Sequence, residues 1–368
     1  MRVLVTGSNG FIGKNLRERL SRIEEVEVVL FDKKDSLDAL EKKIQNIDFV
    51  FHLAGVNRPK TPQEYYKGNS GLTKRLVEVI QKAGKKIPIL LSSSIQAELD
   101  NDYGKSKRES ENILKEYANQ TGAPVFIYRL PNVFGKWSRP NYNSVIATWC
   151  YNIARDLPIY IDDENIVLNL VYIDDVVESF VRHLYDEYSD FDCKVHPVYK
   201  KRLGEIASLL QEFKKSRTSL VIPRVGQGFE RALYATYLSF LPKDKFSYEL
   251  RGYSDERGTF YEILKTLDSG QFSVSTTKPG DFVRGNHYHN TKNEKFLVVK
   301  GEALIQLRDI FSNEVIEYRV SDKKMEIVEM IPGYTHNIRN ISDEEMILFI
   351  WASENYDPKN PDTYYLEV

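Results

Sequence analysis

The stretch Thr6-Gly-Ser-Asn-Gly-Phe-Ile-Gly13 decides how this chain reads. Ahead of it, Met1-Arg-Val-Leu-Val5 is a short apolar run of the kind that forms a buried strand. Behind it, Lys14 to Leu20 carries a helical pattern. Gly7, Gly10 and Gly13 stand with two residues between neighbours. Between a strand and a helix, such glycines turn the chain tightly, let backbone approach a pyrophosphate, and let the helix pack close to the strand. The helix N-terminus then offers free N–H groups and a partial positive charge to the anion. Glycine turns occur in every fold, so the triplet alone says little. Its position at the start of the chain, with a strand before and a helix after, makes a nucleotide-binding unit the expected reading. Gly7, Asn9, Gly10, Phe11, Ile12 and Gly13 are the candidate cofactor contacts of this turn.

Composition bounds the rest. The 368 residues are enough for two domains with large cores, and 42% hydrophobic with 28% charged residues is ordinary for a soluble globular protein. Lys+Arg 51 against Asp+Glu 53 leaves a net charge of −2. No basic stripe or polybasic run argues for nucleic acid or a membrane surface as partner. No apolar run approaches the ~20 residues that span a bilayer. The start at Met1 lacks a charged leader with an apolar core behind it, so a cytoplasmic protein is expected. Cys150 and Cys193 are isolated, without metal or redox spacing, and read as reduced thiols. The 23 tyrosines would suit a sugar-binding surface.

Further along, Val26–Phe31 reads as a second strand ending at Asp32-Lys33-Lys34. A carboxylate there suits the ribose hydroxyls of NAD, and basic residues suit the 2′-phosphate of NADP. Asp32 and Lys33 are both candidates, and on the residues alone the choice of cofactor stays open. A charged strand end in solvent is the plain alternative. Asp48-Phe-Val-Phe-His-Leu-Ala-Gly55 is another buried strand, and its end at Leu53, Ala54 and Gly55 is small enough for a cofactor to approach. A helix is expected from Asn69 to about Lys82. Ile87–Leu91 then delivers Ser92-Ser93-Ser94 to the carboxyl end of a strand, the edge where parallel sheets bind ligands. In Tyr103-Gly-Lys-Ser-Lys107, helical spacing puts Tyr103 and Lys107 on one face. An ammonium group beside the phenol would lower its pKa toward that of a working proton donor. Tyr-x-x-x-Lys is common by chance on solvated helices; behind this glycine turn and a serine-bearing strand end it points to catalysis.

These motifs together resemble the extended short-chain dehydrogenase/reductase family in its nucleotide-sugar branch. They are TGSNGFIG, HLAG at His52–Gly55, Ser92–Ser94, YGKSK, Arg129-Leu-Pro-Asn-Val-Phe-Gly135 and Tyr172-Ile-Asp-Asp-Val176. The resemblance covers about residues 1–245. It implies a Rossmann-type doubly wound parallel sheet and hydride transfer at a sugar carbon. Tyr103 would be the acid/base, Lys107 would hold both Tyr103 and the ribose, and Ser94 would be the catalytic serine. Asn132 matches the position at which the family contacts its nucleotide-sugar. The stretch Trp137–Cys150 mixes aromatic, basic and amide side chains, Arg139 and Asn143 among them, and suits either a substrate lid or plain packing.

The last third changes character. A polar helix is expected from Lys200 to about Arg217. Beyond Phe246, short alternating strands such as Lys295–Val299, Ala303–Leu307 and Met346–Ile350 suggest a small all-β barrel or jelly roll. The boundary is placed near residue 245, giving a reductase domain 1–245 and a β domain 246–368. Three of the chain's six histidines fall in Gly285-Asn-His287-Tyr-His289 and Gly333-Tyr-Thr-His336, with Glu294 between them. On a strand, His287 and His289 would share a face. Three imidazoles and a carboxylate suit zinc or another first-row divalent ion. A single histidine here would read as a surface residue; three with a glutamate in this order do not.

The arrangement is similar to the cupin motif, although Pro332 stands directly before Gly333 where the usual pattern leaves one residue between them. A reductase followed by a cupin resembles one family of bifunctional capsular-polysaccharide enzymes across the whole chain. HLAGVNRP, LLSSSIQA, PNYNSVIAT, HNTKNEKFLVV, GYTHNI and NPDTYYLEV carry that likeness. It implies a UDP-sugar substrate, NADPH, a homodimer, and zinc held by His287, His289, Glu294 and His336. In that scheme the cupin epimerises C3 of a 4-keto-6-deoxy UDP-N-acetylhexosamine and the reductase then reduces C4. The product would be UDP-2-acetamido-2,6-dideoxy-β-L-talose, on the way to UDP-N-acetyl-L-fucosamine. The chief alternative is a single-activity 4-ketoreductase whose zinc cupin serves dimerisation.

Overall fold

A computed structural model describes residues 1–185 and 193–368. It divides into two compact units, one of Met1–Gln211 with Gly226–Pro242, the other of Glu212–Val225 with Lys243–Val368. The division after Pro242 stands beside the expected boundary near 245, but Glu212–Val225 lies with the second unit.

The first unit alternates strand and helix as the glycine turn requires. In chain order come β1 (Arg2–Thr6), α1 (Phe11–Leu20), β2 (Glu27–Phe31), α2 (Leu37–Ile44), β3 (Phe49–His52), α3 (Pro62–Gly68) and α4 (Ser70–Lys82). Then follow β4 (Ile89–Ser94), α5 (Asp102–Thr121), β5 (Val125–Leu130), β6 (Asn132–Phe134), α6 (Val145–Ile153), β7 (Val167–Tyr172) and α7 (Ile173–Val181). Five strands form one all-parallel sheet in the order β2-β1-β3-β4-β5. Because strand side chains alternate, β1 sends Val3 and Val5 to one face with Leu16, Phe51 and Phe180, and Leu4 to the other with Leu40, Ile80 and Leu114. Both faces are thus covered, which is why these strands read as unbroken apolar runs. The strand order reverses between β1 and β3, and ligands of open α/β sheets bind at that point, beyond the carboxyl ends. A smaller sheet pairs β6 parallel to β7, and β7 antiparallel to β8 (Tyr199–Arg202). The polar helix expected from Lys200 therefore starts later, as α8 (Leu203–Ser219), because Lys200–Arg202 are held as a strand against Val167–Asn169. The helix α9 (Gly228–Ser239) completes this unit.

The second unit is antiparallel throughout its two main sheets. Its strands are β9 (Gly252–Asp255), β10 (Gly258–Lys265), β11 (Gln271–Thr277), β12 (Val283–Tyr288), β13 (Glu294–Lys300) and β14 (Glu302–Asp309). The remainder are β15 (Val315–Ser321), β16 (Ile327–Met330), β17 (Tyr334–Asn340), β18 (Met346–Ala352) and β19 (Tyr364–Tyr365). One sheet runs β16-β13-β18-β11-β10-β9 and the other β15-β14-β17-β12-β19. Phe296, Val298 and Leu348 from the first meet Ala303, Ile305, Leu307 and Ile338 from the second in one core, as in a jelly-roll sandwich.

Candidate functional site

Each unit carries its own constellation. In the first, β1 ends at Thr6 and Gly7 takes a left-handed φ of +68°. A side chain there would bring a Cβ within 2.7 Å of the Ala54 backbone, and one at Gly13 within 2.3 Å of the Gly7 carbonyl oxygen. Glycine is required at both by close approach, at Gly7 to the end of β3 and at Gly13 between α1 and the turn. The Thr6 hydroxyl ties the neighbouring strand end down, accepting from the N–H of Leu53 and of Ala54 at 3.2 Å each. His52 is fully enclosed between Thr6 Oγ1 (2.8 Å from Nδ1) and Thr73 Oγ1 (2.9 Å from Nε2), and burial drives its pKa down to about 3. It is a neutral strut beneath the turn, not a proton carrier.

Asp32, one of the two candidates for the cofactor ribose, faces the glycine loop. Its carboxylate accepts from the Ser8 hydroxyl, from Asn9 N–H at 3.1 Å and from Asn9 Nδ2 at 2.8 Å. Arg17 Nη1 donates to Asn9 Oδ1 at 3.0 Å and thereby stands over the same corner. Lys33 and Lys34 are exposed beyond it.

The strand β4 brings Ser94 to the sheet edge, and α5 brings Tyr103 and Lys107. The Tyr103 phenol lies beside the Ser94 side chain. The Tyr65 ring lies against Tyr103, with centroids 5.6 Å apart. Lys107 is buried beside Gly55, where an added Cβ would lie 3.9 Å from its Nζ. Its ammonium donates to the Ser92 carbonyl at 2.7 Å, and burial lowers its pKa to about 8. The expected lowering of the tyrosine pKa by Lys107 does not hold in this geometry. Burial pushes Tyr103 above its ordinary value, and only the neighbouring Ser94 side chain pulls it back. The shared helix face is present, but the amine is spent on a backbone carbonyl.

Of the proposed substrate contacts, Asn132 on β6 is exposed and donates from Nδ2 to the Asn169 carbonyl at 3.4 Å. Arg139 stacks over the Tyr142 ring at 5.1 Å from its centroid, and Asn143 is exposed just before Ser144, the residue that caps α6. Sequence reasoning missed the buried support beneath these groups. Asn69 accepts from Val56 N–H at 2.8 Å and donates to Ser106 Oγ at 2.9 Å, joining the cofactor edge to α5. Glu111, buried, takes the Ser93 hydroxyl at 2.5 Å and the Arg129 guanidinium at 2.6 Å, fixing the serine strand against α5 and β5. Only the third residue of the serine run was singled out, although its neighbour carries that anchor.

In the second unit, β12, β13 and β17 bring His287, His289, Glu294 and His336 together, with one ligand atom of each within 4.8 Å of all the others. His289 lies one residue beyond the end of β12, and a register shift between Gly285 and His287 turns the strand as it reaches the cluster. His287 pairs directly with His336 across the ladder. Gly333, at φ +80°, donates its N–H to the His289 carbonyl at 2.8 Å, so the turn with Pro332 beside the glycine still seats the second motif on the first. Glu294 Oε2 stands 3.6 Å from His289 Nε2 and 3.7 Å from His336 Nε2. These gaps are too long for hydrogen bonds, and His289 Nε2 is buried without a hydrogen-bond partner. Ligands about 2 Å from one tetrahedral ion stand roughly 3.3 Å apart, so the set fits a zinc-sized cation. Burial lowers His287 to about 4 and His336 to about 3, keeping both imidazoles neutral as ligation requires. Burial alone would raise Glu294, but His289, His336 and Lys292 more than offset it and hold the carboxylate ionised.

Comparison with known proteins agrees with this division. The NAD dependent epimerase/dehydratase family matches residues 3–191, and the polysaccharide biosynthesis C-terminal domain matches residues 253–364. The crystal structure of the capsular polysaccharide assembling protein CapF from Staphylococcus aureus superposes with a TM-score of 0.94 at 46% identity, covering 100% of both chains. The chain belongs to the CapF family. A relative from Pseudomonas aeruginosa, UDP-2-acetamido-2,6-beta-L-arabino-hexul-4-ose reductase, is 51% identical over 100% of this chain and 99% of its own. A CapF structure with the inhibitor 3-isopropenyl-tropolone matches at 42% identity and a TM-score of 0.90 over the full length of both chains. The UDP-glucuronic acid 4-epimerase of Bacillus cereus, 20% identical over 65% of this chain with a TM-score of 0.55, shares the fold of the nucleotide-binding part. Among the described residues, no helix is long and apolar enough to cross a membrane.

Proposed function

We propose that this CapF-family chain is a bifunctional UDP-sugar enzyme of surface-polysaccharide precursor synthesis. The β unit epimerises C3 of a UDP-4-keto-6-deoxy-N-acetylhexosamine. The α/β unit then reduces C4 to give UDP-2-acetamido-2,6-dideoxy-β-L-talose, on the route to UDP-N-acetyl-L-fucosamine. The observation that carries this reading is the coexistence of two complete constellations in one chain, Ser94–Tyr103–Lys107 and His287–His289–Glu294–His336. The name of the P. aeruginosa relative supports the reductase half and its class of substrate. The working protein is taken as a cytoplasmic homodimer.

In the reductase, NADPH held at the glycine turn would supply the hydride for C4. Ser94 holds the ketone oxygen, and Tyr103 gives it the proton. Lys107, placed by the Ser92 carbonyl beside Gly55, holds the cofactor ribose. Preference for NADPH over NADH is supported by the exposed Lys33 and Lys34 beyond Asp32 and by Arg17 at the same corner, cations suited to a 2′-phosphate. In the β unit, His287, His289, Glu294 and His336 would hold zinc, which supplies polarisation of the C4 carbonyl. The ketone acidifies the C3 proton; its removal from one face and return to the other inverts that carbon. Reduction ends the acidity and locks the new configuration, so epimerisation comes first.

Incubating the 4-keto UDP-sugar in D₂O with and without NADPH, followed by NMR, tests the order. Deuterium at C3 without NADPH is expected, as is a single reduced epimer with it. Reduction without any C3 exchange would defeat the bifunctional reading. A second reading has one observation in its favour: four protein ligands saturate a tetrahedral ion, as structural zinc sites do. In that case the metal serves folding and dimerisation, and exchange would continue after chelation.

A further inference from the structure

The segment Asp362–Glu367 lies against the ligand cluster, and its role is distinct from that of the ligands. Its carboxylate end is clamped: Asp362 accepts from Asn290 N–H at 2.9 Å, Thr291 N–H at 2.7 Å, Thr291 Oγ1 at 3.0 Å and Lys292 N–H at 2.9 Å. The Asp362 main-chain carbonyl meets His289 Nδ1. Next, β19 pairs with β12, Tyr365 opposite His287 and Tyr364 opposite Tyr288, and Leu366 N–H donates to the Asn286 carbonyl at 3.0 Å. The Thr335 hydroxyl, next to His336, donates to the Leu366 carbonyl, and Arg308 Nη2 donates to the Glu367 carbonyl at 2.6 Å. The strap is tied at both ends and passes beside His287, His289 and the neighbour of His336.

A carbonyl oxygen can only accept, so the ring nitrogen facing it carries the proton. The other nitrogen of the same ring then has its lone pair free, and that nitrogen is buried without a hydrogen-bond partner, as is His336 Nδ1 in the same cluster. We infer that Asp362 is a positioning residue: its side chain grips residues 290–292 so that its own carbonyl holds His289 as the Nδ1–H tautomer, leaving Nε2 as the ligand atom. This inference rests on the metal-centre reading above for its purpose, but not for its geometry. Second partners of this type orient ligand imidazoles and typically contribute 10- to 100-fold to metal affinity.

The test uses the full chain with ¹⁵N-labelled histidine. Long-range ¹H–¹⁵N spectra of the metal-free wild type should show His289 protonated at Nδ1; protonation at Nε2 overturns the inference without any variant being made. Asp362→Ala should lose the single tautomer and bind zinc about 10- to 100-fold more weakly in a chelator competition. Asp362→Asn, which keeps an acceptor oxygen and the size, should fall between the two and guards against misfolding of the alanine variant. NADPH affinity should be unchanged in both. Wild-type zinc affinity in a folded Asp362→Ala protein would overturn the inference. A wild type that takes up no zinc yet shows Nδ1–H supports the strap and removes the metal reading alone.

Discussion

Tyr103 and Lys107 share a helix face as their spacing implies, yet the two side chains serve different neighbours. The phenol lies with Ser94 and the ring of Tyr65, and the ammonium with the Ser92 carbonyl. Tyr103→Phe removes the proposed donor and leaves Lys107 in place, so ketone reduction should fall by about 10²- to 10⁴-fold while NADPH affinity stays within a few-fold. Stopped-flow NADPH oxidation and fluorescence titration read the two separately; near-normal turnover would remove Tyr103 as the acid. His52 makes a different prediction. Its folded pKa of about 3 lies below the ordinary 6.5, so between these values the unfolded chain binds the extra proton and the folded chain does not. Stability is therefore fully present above pH 6.5 and falls as the pH drops, by about 1.4 kcal/mol for each unit of that window. Urea midpoints of wild type and His52→Gln at pH 7, 6 and 5 should show a flatter decline in the variant. Parallel curves would mean that His52 is protonated without cost in the fold.

At the scale of elements, α5 is the part whose placement decides the reductase centre. It starts just after a 3₁₀ turn, Ile95–Glu98, and Gly104 lets the two approach: a Cβ there would sit 2.2 Å from the Gln96 carbonyl oxygen and 2.7 Å from that of Leu99. Helix propensity alone would make Gly104→Ala stabilising by about 1 kcal/mol. The clash is larger, since overpacking of this kind costs about 1–3 kcal/mol, and relief requires α5 to move with Tyr103 and Lys107 on it. The expected outcome is a lower melting temperature together with slower reduction. A rise in melting temperature would show that propensity wins and that the approach is looser than described. Neither motif reading nor periodicity marks this glycine, because its reason lies in a carbonyl eight residues away along a turn.

For the whole molecule, each unit has its own core and its own candidate groups, so the two proposed activities should separate. Removing zinc with a chelator should stop C3 deuterium exchange while NADPH binding persists, and His336→Ala should do the same. Conversely, Tyr103→Phe should go on exchanging the C3 proton, because the ketone survives. Full exchange in stable, metal-free protein would take the ion out of the chemistry.

What the sequence determined by itself is local in character. The glycine turn, the Tyr-x-x-x-Lys spacing, the H-x-H pair and the change from helical to alternating pattern depend on neighbours along the chain, and from them the two folds and the candidate serine–tyrosine–lysine and histidine–glutamate groups were legible. The tertiary structure decided what depends on partners brought from afar. It turned Asp32 into a brace for Ser8 and Asn9, since β2 ends beside the glycine loop. It directed Lys107 to Ser92 and raised Tyr103 instead of lowering it, because burial outweighs a charge that points elsewhere. It moved residues 212–225 to the β unit, where Ile222 N–H donates to the Lys265 carbonyl at 2.7 Å. And it laid Asp362 against His289, 73 positions apart, a hydrogen bond that no spacing rule anticipates because sheet pairing, not sequence distance, sets which backbone carbonyl an imidazole meets.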